Sequence, residues 1–405
     1  MKKAIYGAAA LAVVAALVTG LFLKDRLDRA RAVSSLFTGA EQYQNFHRFQ
    51  TVFPHGDMAA SPEPFQFPDG TMVELPASFT YSGQTIDTET FLSETDTAAL
   101  LVIQDGQLRF ERYMLTGGRD IHWISMSVAK SFISALVGIA VSEGHIGSIE
   151  DEVTAYVPAL IGSAYDGVRI KDILQMSSGA RWNEDYSDPD SDIVRFAKIF
   201  ALGGSLDEFA ATLEREREPG TFNLYNSTDT HVLGMMLVSA TGRSISQYME
   251  EKLWQPMGAE AKGYWLLDGE GMEMAFGGMT ATARDYAKIG ELFRLNGALN
   301  GRQIVPAPWV AASVVPDAPH LLPGKDNPAS DFELGYGYQW WIPEGDEGEY
   351  SAIGIYNQFV YVNPTSGTVI VKLSANSDYG TTDDESTYRE LESIEFFRSV
   401  VERVR

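Results

Sequence analysis

The chain has 405 residues, of which 45% are hydrophobic and 11% aromatic, so it can form a substantial core and most of it is not disordered. It carries 31 Lys and Arg against 55 Asp and Glu, and the resulting net charge of −24 argues against nucleic-acid binding. The absence of cysteine excludes disulfides, a cysteine nucleophile and thiolate metal sites.

The N-terminal segment, residues 1–33, is predicted to be a membrane anchor or a signal segment. Lys2 and Lys3 precede a predominantly apolar run over residues 4–23, and roughly 20 such residues span a bilayer as a helix. The run is longer than the ~7–15 apolar residues of a signal peptide, which favours an uncleaved anchor over a cleaved signal peptide or a buried helix. We therefore expect an exported or periplasmic protein that residues 4–23 tether to the membrane.

The first half of the body begins with an irregular stretch and continues with a hairpin and a helix. Residues 34–95 are rich in Pro, Gly and Thr and are predicted to form an N-terminal arm. Residues 98–114 predict a β-hairpin whose turn is Asp105-Gly106. Residues 126–143 predict a helix that is apolar on every side and is therefore buried.

The rest of the chain is mostly helical at first and then mostly strand. The predicted elements are helical segments within 145–275, a helix over 283–296, strands over 335–342, 350–362 and 367–374, and an amphipathic helix over 384–405. This order predicts an α+β fold, in which an antiparallel sheet built from both ends of the chain is flanked by helices and a helical domain is inserted. The predicted boundaries are 96–145 and 280–405 for the α/β domain, and 146–279 for the helical domain.

The most unusual residue of the buried helix is Lys130, the only charged residue between Met126 and Val141. A buried ammonium needs a partner or a lowered pKa, unless the side chain extends to solvent. Ser127 lies one turn earlier on the same face, at the helix end that favours negative charge. A desolvated Lys130 could accept the proton of Ser127 and activate it as a nucleophile; the alternative for Ser127 is a helix N-cap.

No other catalytic or cofactor motif competes with this pair. The sequence contains no G-x-S-x-G, phosphate-binding loop, G-x-G-x-x-G or H-E-x-x-H motif, and its six histidines do not pair at metal-ligand spacing. We therefore predict neither a metal nor an organic cofactor.

The segment Ser127-Val128-Ala129-Lys130-Ser131-Phe132 resembles the serine β-lactamase and penicillin-binding superfamily. The closest similarity is to the class C-type branch, with its esterases and 6-aminohexanoate-dimer hydrolases. The resemblance covers roughly residues 75–400 and includes ordered matches over 172–186, 219–234, 277–290 and 350–364. It implies a β-lactamase/transpeptidase-like fold and a covalent acyl-serine mechanism.

The second motif of the family corresponds to Tyr225-Asn226-Ser227, which follows Pro219-Gly220. The resemblance implies that Tyr225 faces Lys130 and shuttles protons between the nucleophile and the leaving group. Ser227 stands where the true β-lactamases have Asn, and is expected to donate to Lys130 or to substrate.

The third motif, a strand with Lys-Thr-Gly in the penicillin-recognising members, corresponds here to the uncharged stretch Ala352-Ile353-Gly354-Ile355. Gly354 is expected to allow close approach of the substrate. The backbone amides of Ile355 and Ser127 would then form the oxyanion hole. Loss of the cation argues against β-lactams as the main substrate.

The loop around Trp182 and Tyr186 borders the acyl pocket in the dimer-hydrolase branch. By resemblance, Tyr186 is expected to contact the scissile amide, although Glu184, Asp185 and Asp188 in the same loop compete for a role at the site.

Together these features predict a serine hydrolase that acts on a carboxylic ester or a small linear amide, a small-molecule substrate, without a cofactor. A β-lactamase or D-Ala-type peptidase is the alternative within the same chemistry. A ligand sensor without catalysis is the alternative outside it, although Ser127, Lys130 and Tyr225 are all chemically competent. The sequence does not reveal the oligomeric state.

Overall fold

The computed structural model describes residues 42–382 and 384–405. The predicted anchor or signal segment, with its apolar run 4–23, lies outside the described residues. Within the described ranges, no helix is both long enough and apolar enough to cross a membrane.

Twelve α-helices are described in these ranges. They are α1 Phe49–Val52, α2 Thr88–Glu94, α3 Ala129–Ser142, α4 Ile170–Leu174, α5 Asp192–Ala201, α6 Leu206–Ala210, α7 Ser227–Thr241, α8 Ile245–Met249, α9 Ala283–Arg294, α10 Ala307–Ser313, α11 Glu385–Tyr388 and α12 Glu390–Val404.

Fifteen strands are described in the same part of the chain. They are β1 His55–Met58, β2 Ser78–Tyr81, β3 Gln84–Asp87, β4 Thr97–Gln104, β5 Gln107–Tyr113, β6 Trp123–Ile124, β7 Gly263–Leu266, β8 Met279–Ala281, β9 Ala298–Leu299, β10 Arg302–Gln303, β11 Gly335–Tyr336, β12 Trp341–Ile342, β13 Tyr350–Gly354, β14 Gln358–Asn363 and β15 Thr368–Ser374.

The main sheet has seven antiparallel strands in the order β11-β12-β13-β14-β15-β4-β5. The predicted hairpin is β4–β5, and its turn residues Asp105 and Gly106 both have positive φ, 49° and 75°, as a two-residue hairpin turn requires. Because β15 pairs with β4, the sheet joins the two ends of the described chain, which confirms the predicted α+β architecture.

Helices cover both faces of this sheet. Leu101 and Ile103 of β4 belong to the core that includes α3 and α9. Leu100 and Val102 alternate with them and pack in a second core with Phe397 of α12. Every residue of β4 except Gln104 is buried as a result, although the sheet is antiparallel.

A smaller sheet, in the order β1-β7-β8-β6, forms from the N-terminal arm and the middle of the chain. The arm contributes β1 and the buried rings of Phe49, Phe53 and Phe67. Helices α4 to α8 lie within the predicted helical domain, 146–279, which also contains the strand β7. The domain boundaries themselves stay a prediction.

Three predicted elements are interrupted. The strand predicted over 350–362 is the hairpin β13–β14, because Tyr356 and Asn357 adopt left-handed φ of 63° and 64°. The strand predicted over 335–342 is the pair β11–β12. The helix predicted over 384–405 breaks at Arg389, where φ is 56° and α11 ends before α12 begins.

The loop before β7 is fixed to α9 by Asp285, which forms a fully buried ion pair with Lys288. Lys288 Nζ lies 2.7 Å from Asp285 Oδ1 and 3.1 Å from Glu260 Oε1. Asp285 also accepts the backbone amides of Glu260 at 2.7 Å and Ala261 at 3.2 Å. Removal of Asp285 would leave the buried Lys288 ammonium with Glu260 as its remaining described carboxylate partner.

We expect Asp285→Ala to lower the free energy of unfolding by about 3–5 kcal/mol, because the Lys288 charge loses the nearer of its two carboxylates and two backbone amides lose their acceptor. Urea denaturation of both proteins measures this difference. Arg302→Ala is the control, since its ion pair with Glu63 is more than half exposed and should contribute less than about 1 kcal/mol. Equal losses in the two variants would contradict the assignment.

Candidate active site

Ser127 lies in a tight turn between β6 and α3. Met126, immediately before it, adopts a left-handed φ of 45°, which is an uncommon conformation for a residue with a side chain and often marks a functional site. Ser125 holds this turn, because its amide donates to Met279 O at 2.8 Å and its hydroxyl lies 3.0 Å from Met126 O. The turn presents a half-buried Ser127 at the beginning of the helix.

The Lys130 side chain is 1% exposed and does not extend to solvent. In its protonated form, Nζ donates to Ser127 Oγ at 2.8 Å, to Ser227 Oγ at 3.1 Å and to the Phe276 carbonyl at 2.9 Å. Burial lowers the pKa of Lys130 to about 7, against the opposing effect of the Glu184 carboxylate. A large fraction of this amine is therefore neutral near pH 7 and able to accept a proton.

Tyr225 lies beside Lys130, and its ring centroid is 4.9 Å from Nζ. The ring is stacked on Trp341, with centroids 5.0 Å apart and planes at 28°. Burial raises the pKa of the Tyr225 phenol well above its ordinary value, and Tyr336 and Glu184 add to this, while a hydrogen bond with Ser127 opposes it. The phenol is therefore protonated and can donate near the nucleophile.

Ser227 begins α7 and links Lys130 to Glu184. Besides accepting from Lys130, its hydroxyl donates to Glu184 Oε1 at 2.6 Å, and its amide donates to Glu184 Oε2 at 3.0 Å. Glu184 is thus part of the site, although from the sequence it is only one of several acidic residues in its loop. No local pattern distinguishes Glu184 from Asp185 or Asp188, because its partner Ser227 is 43 residues away.

The two aromatic residues predicted for substrate binding flank this carboxylate. The Tyr186 hydroxyl donates to Glu184 Oε1 at 2.6 Å, and the Trp182 indole N–H donates to Glu184 Oε2. Trp182 also packs edge-on against Phe196, with centroids 6.1 Å apart. Both side chains line a cavity that Ser127 also lines. Contact of Tyr186 with a scissile bond stays a prediction.

Strand β13 approaches the Ser127 turn very closely at Gly354. A Cβ atom at this position would lie 2.9 Å from Ser127 N and 2.8 Å from Ser125 O, closer than side chains tolerate. Glycine is therefore required here for the strand to lie against the turn. Ile355 follows directly and lines the space in front of Ser127.

Ser127 lines two neighbouring cavities. One has a volume of about 320 Å³ and is mainly apolar, with Ile193, Met274 and Phe276 among its lining residues. The other has a volume of about 670 Å³ and is more polar, with Glu385 and Glu390 among its lining residues. A substrate attacked by Ser127 could therefore place chemically different groups in the two cavities.

The described residues contain no group of three or more His, Asp or Glu side chains arranged to hold a metal ion.

Comparison with known proteins supports the family resemblance that the sequence motifs indicate. The chain is 31% identical over 299 residues to the 6-aminohexanoate-dimer hydrolase of Paenarthrobacter ureafaciens, covering 72% of this chain and 76% of that protein.

Among solved structures, the fold is similar to "Putative 6-aminohexanoate-dimer hydrolase from Bacillus anthracis", with a TM-score of 0.79, 23% identity and coverage of 90% and 94% of the two chains. It is also similar to "EstCE1, a hydrolase with promiscuous acyltransferase activity", with a TM-score of 0.60, 14% identity and coverage of 78% and 96%.

The sequence model of the Beta-lactamase family matches residues 88–394, a range that includes the Ser127 turn, the Tyr225 segment and the Gly354 strand. The resemblance inferred from these motifs is confirmed, and the chain belongs to the Beta-lactamase family.

Proposed function

We propose that this protein is a serine hydrolase that cleaves a carboxylic ester or a small linear amide through a covalent acyl-Ser127 intermediate. The observation that carries the proposal is the 2.8 Å contact between Lys130 Nζ and Ser127 Oγ, made by a buried amine whose three partners are all uncharged. Such an amine can accept the serine proton without help from a histidine.

In the proposed acylation, the Ser127 proton moves to neutral Lys130 as Oγ attacks the carbonyl carbon of the substrate. The backbone amides of Ser127 and Ile355 would stabilise the oxyanion that forms. When the carbonyl re-forms, the bond to the alcohol or amine breaks and Tyr225 donates its phenolic proton to that leaving group.

Lys130 then returns its proton to Tyr225, which restores both groups. Water attacks the acyl-Ser127 ester, gives one proton to Lys130 and releases the acid, and Ser127 recovers its proton from Lys130. The net reaction consumes one water for each bond cleaved, so its atoms and electrons balance without an oxidant, a reductant or another co-reactant.

Two observations favour esters or linear amides over β-lactams. The stretch Ala352-Ile353-Gly354-Ile355 offers no cation to a β-lactam carboxylate, and the 31%-identical relative is named a 6-aminohexanoate-dimer hydrolase. The apolar cavity beside Ser127 would suit an aliphatic part of the substrate.

We expect Ser127→Ala to lose at least about 10³-fold of its activity, because the nucleophile is removed. Hydrolysis of short-chain p-nitrophenyl esters, 6-aminohexanoate dimer and a chromogenic cephalosporin by the full chain measures the loss and ranks the substrates. Ser142→Ala, at the exposed far end of the same helix, should keep full activity. Turnover that persists in Ser127→Ala would refute the mechanism, and binding without turnover by the unaltered protein would indicate a sensor.

We expect kcat/KM for ester hydrolysis to rise with pH through about 7, because Lys130 accepts a proton only when neutral and its pKa is lowered to about 7. Below this pH the ammonium predominates and activity falls. The buried carboxyls of Asp229 and Glu390 also have pKa values raised to about 7. Repeating the pH profile at two temperatures distinguishes titration of Lys130 from titration of these carboxyls, since the pKa of an amine falls markedly on warming and the pKa of a carboxyl hardly changes.

A profile that stays flat from pH 5 to 9, or whose midpoint does not move with temperature, would rule out Lys130 as the base.

We expect Gly354→Ala to reduce kcat at least about 10-fold and to lower the free energy of unfolding by about 1–3 kcal/mol, because the added methyl group must displace the backbone of the Ser127 turn, and with it the amide that faces the oxyanion. Steady-state kinetics and urea denaturation separate these effects. Gly147→Ala, on the surface where the nearest atom to the added Cβ is a side-chain carboxylate oxygen, is the matched control. Unchanged kcat in Gly354→Ala would mean that β13 does not set the geometry of the oxyanion hole.

A further inference from the structure

We infer that Glu184 is a positioning residue, which acts through Ser227 to direct the lone pair of Lys130 at Ser127. The inference rests on the proposed function, since it concerns how the base of that reaction is oriented. It assigns a role to a residue that the family motifs do not include.

Glu184 is a half-buried carboxylate whose described partners are all hydrogen-bond donors without charge. It accepts the Ser227 hydroxyl at 2.6 Å, the Ser227 amide at 3.0 Å, the Tyr186 hydroxyl at 2.6 Å and the Trp182 indole N–H. An ionised carboxylate only accepts hydrogen bonds, so this set of donors suits it. The four contacts fix both of its oxygens.

The single proton of the Ser227 hydroxyl is therefore committed to Glu184. A hydroxyl that donates in one direction can only accept from its other neighbours. Ser227 Oγ must accordingly accept a proton from Lys130, 3.1 Å away. The carbonyl of Phe276, 2.9 Å from the same amine, has no proton and must accept one too.

A neutral lysine amine has two protons and one lone pair. Ser227 and Phe276 take the two protons, so the remaining direction, toward Ser127 Oγ at 2.8 Å, is left for the lone pair. This is the arrangement that a base needs in order to receive the Ser127 proton. Without Glu184, the Ser227 hydroxyl could rotate and donate to the same lone pair, and Lys130 would no longer be available to Ser127.

Glu184 has a second effect on the same amine through its charge. Its negative charge raises the pKa of Lys130, opposing the larger effect of burial. The Tyr225 phenol is another titratable group beside the amine, with its ring centroid 4.9 Å from Nζ. The Glu184 charge also raises the pKa of Asp229, which lies on the same helix as Ser227. A change at Glu184 should therefore be visible in the pH profile as well as in the rate.

The test is the pH dependence of ester hydrolysis by the full-length Glu184→Gln variant. We expect kcat to fall at least about 10-fold, because the new amide can donate to Ser227 and release its hydroxyl from the required orientation. We also expect the acid limb of kcat/KM to move to lower pH, since the charge that raises the pKa of Lys130 is gone. A purely structural role would lower the rate or the stability without moving the limb.

Asp188→Asn is the matched control, since Asp188 is a carboxylate of the same loop that accepts from Asn183 Nδ2 at 3.2 Å and Asp190 N at 2.9 Å. This variant should keep both kcat and the position of the acid limb. If its limb moves as far as that of Glu184→Gln, the effect is a general one of loop charge and the inference is wrong.

A double-mutant cycle tests whether Glu184 acts through Ser227. Ser227→Ala should lower kcat by itself, and adding Glu184→Gln should then cause little further loss, because the hydroxyl that Glu184 orients is already absent. Multiplicative losses would show that the two residues act independently and would overturn the inference. Full activity of Glu184→Gln, with Ser127→Ala inactive, would overturn it while leaving the proposed function intact.

Discussion

The burial of the Lys130 amine is the constraint on which the rest of the site depends. An amine in water would be protonated at neutral pH and could not act as a base, whereas burial brings its pKa to about 7. Burial is tolerable only because the amine has the acceptors Ser127, Ser227 and Phe276 around it. Helix α3 therefore needs apolar residues on every side to desolvate this group, and polar residues of other elements to satisfy it.

The polar residues of the site come from several separate segments of the chain. Ser127 and Lys130 lie at the start of α3, Tyr225 and Ser227 at the start of α7, and Glu184 in the loop before α5. The main sheet holds the remaining side of the site through Gly354 at the end of β13. The fold thus places two helix starts and one strand end at the same point, and the hydrogen bonds among them set the geometry.

The sequence was sufficient for the parts of the site that depend on local spacing. Ser127 and Lys130 are three residues apart on one helix, so their contact follows from helix geometry, and the turn at Asp105-Gly106 follows from residue type. The role of Glu184 could not be predicted, because only the tertiary fold brings it to Ser227. The left-handed residues Tyr356 and Arg389 were missed for a related reason, since packing imposes a conformation that neither residue type favours.

The pairing of β4 with β15 has a consequence for how the protein is made. Gln104 and Thr368 are register partners, yet the ribosome adds about 260 residues between them, which takes roughly 15–50 s at the usual ~5–20 residues per second. Throughout that time the apolar strand Thr97–Gln104 has its neighbour β5 on one edge and an unpaired edge on the other. An open edge of this kind can pair with other chains, so the nascent protein is more prone to aggregation before β15 emerges and pairs with β4.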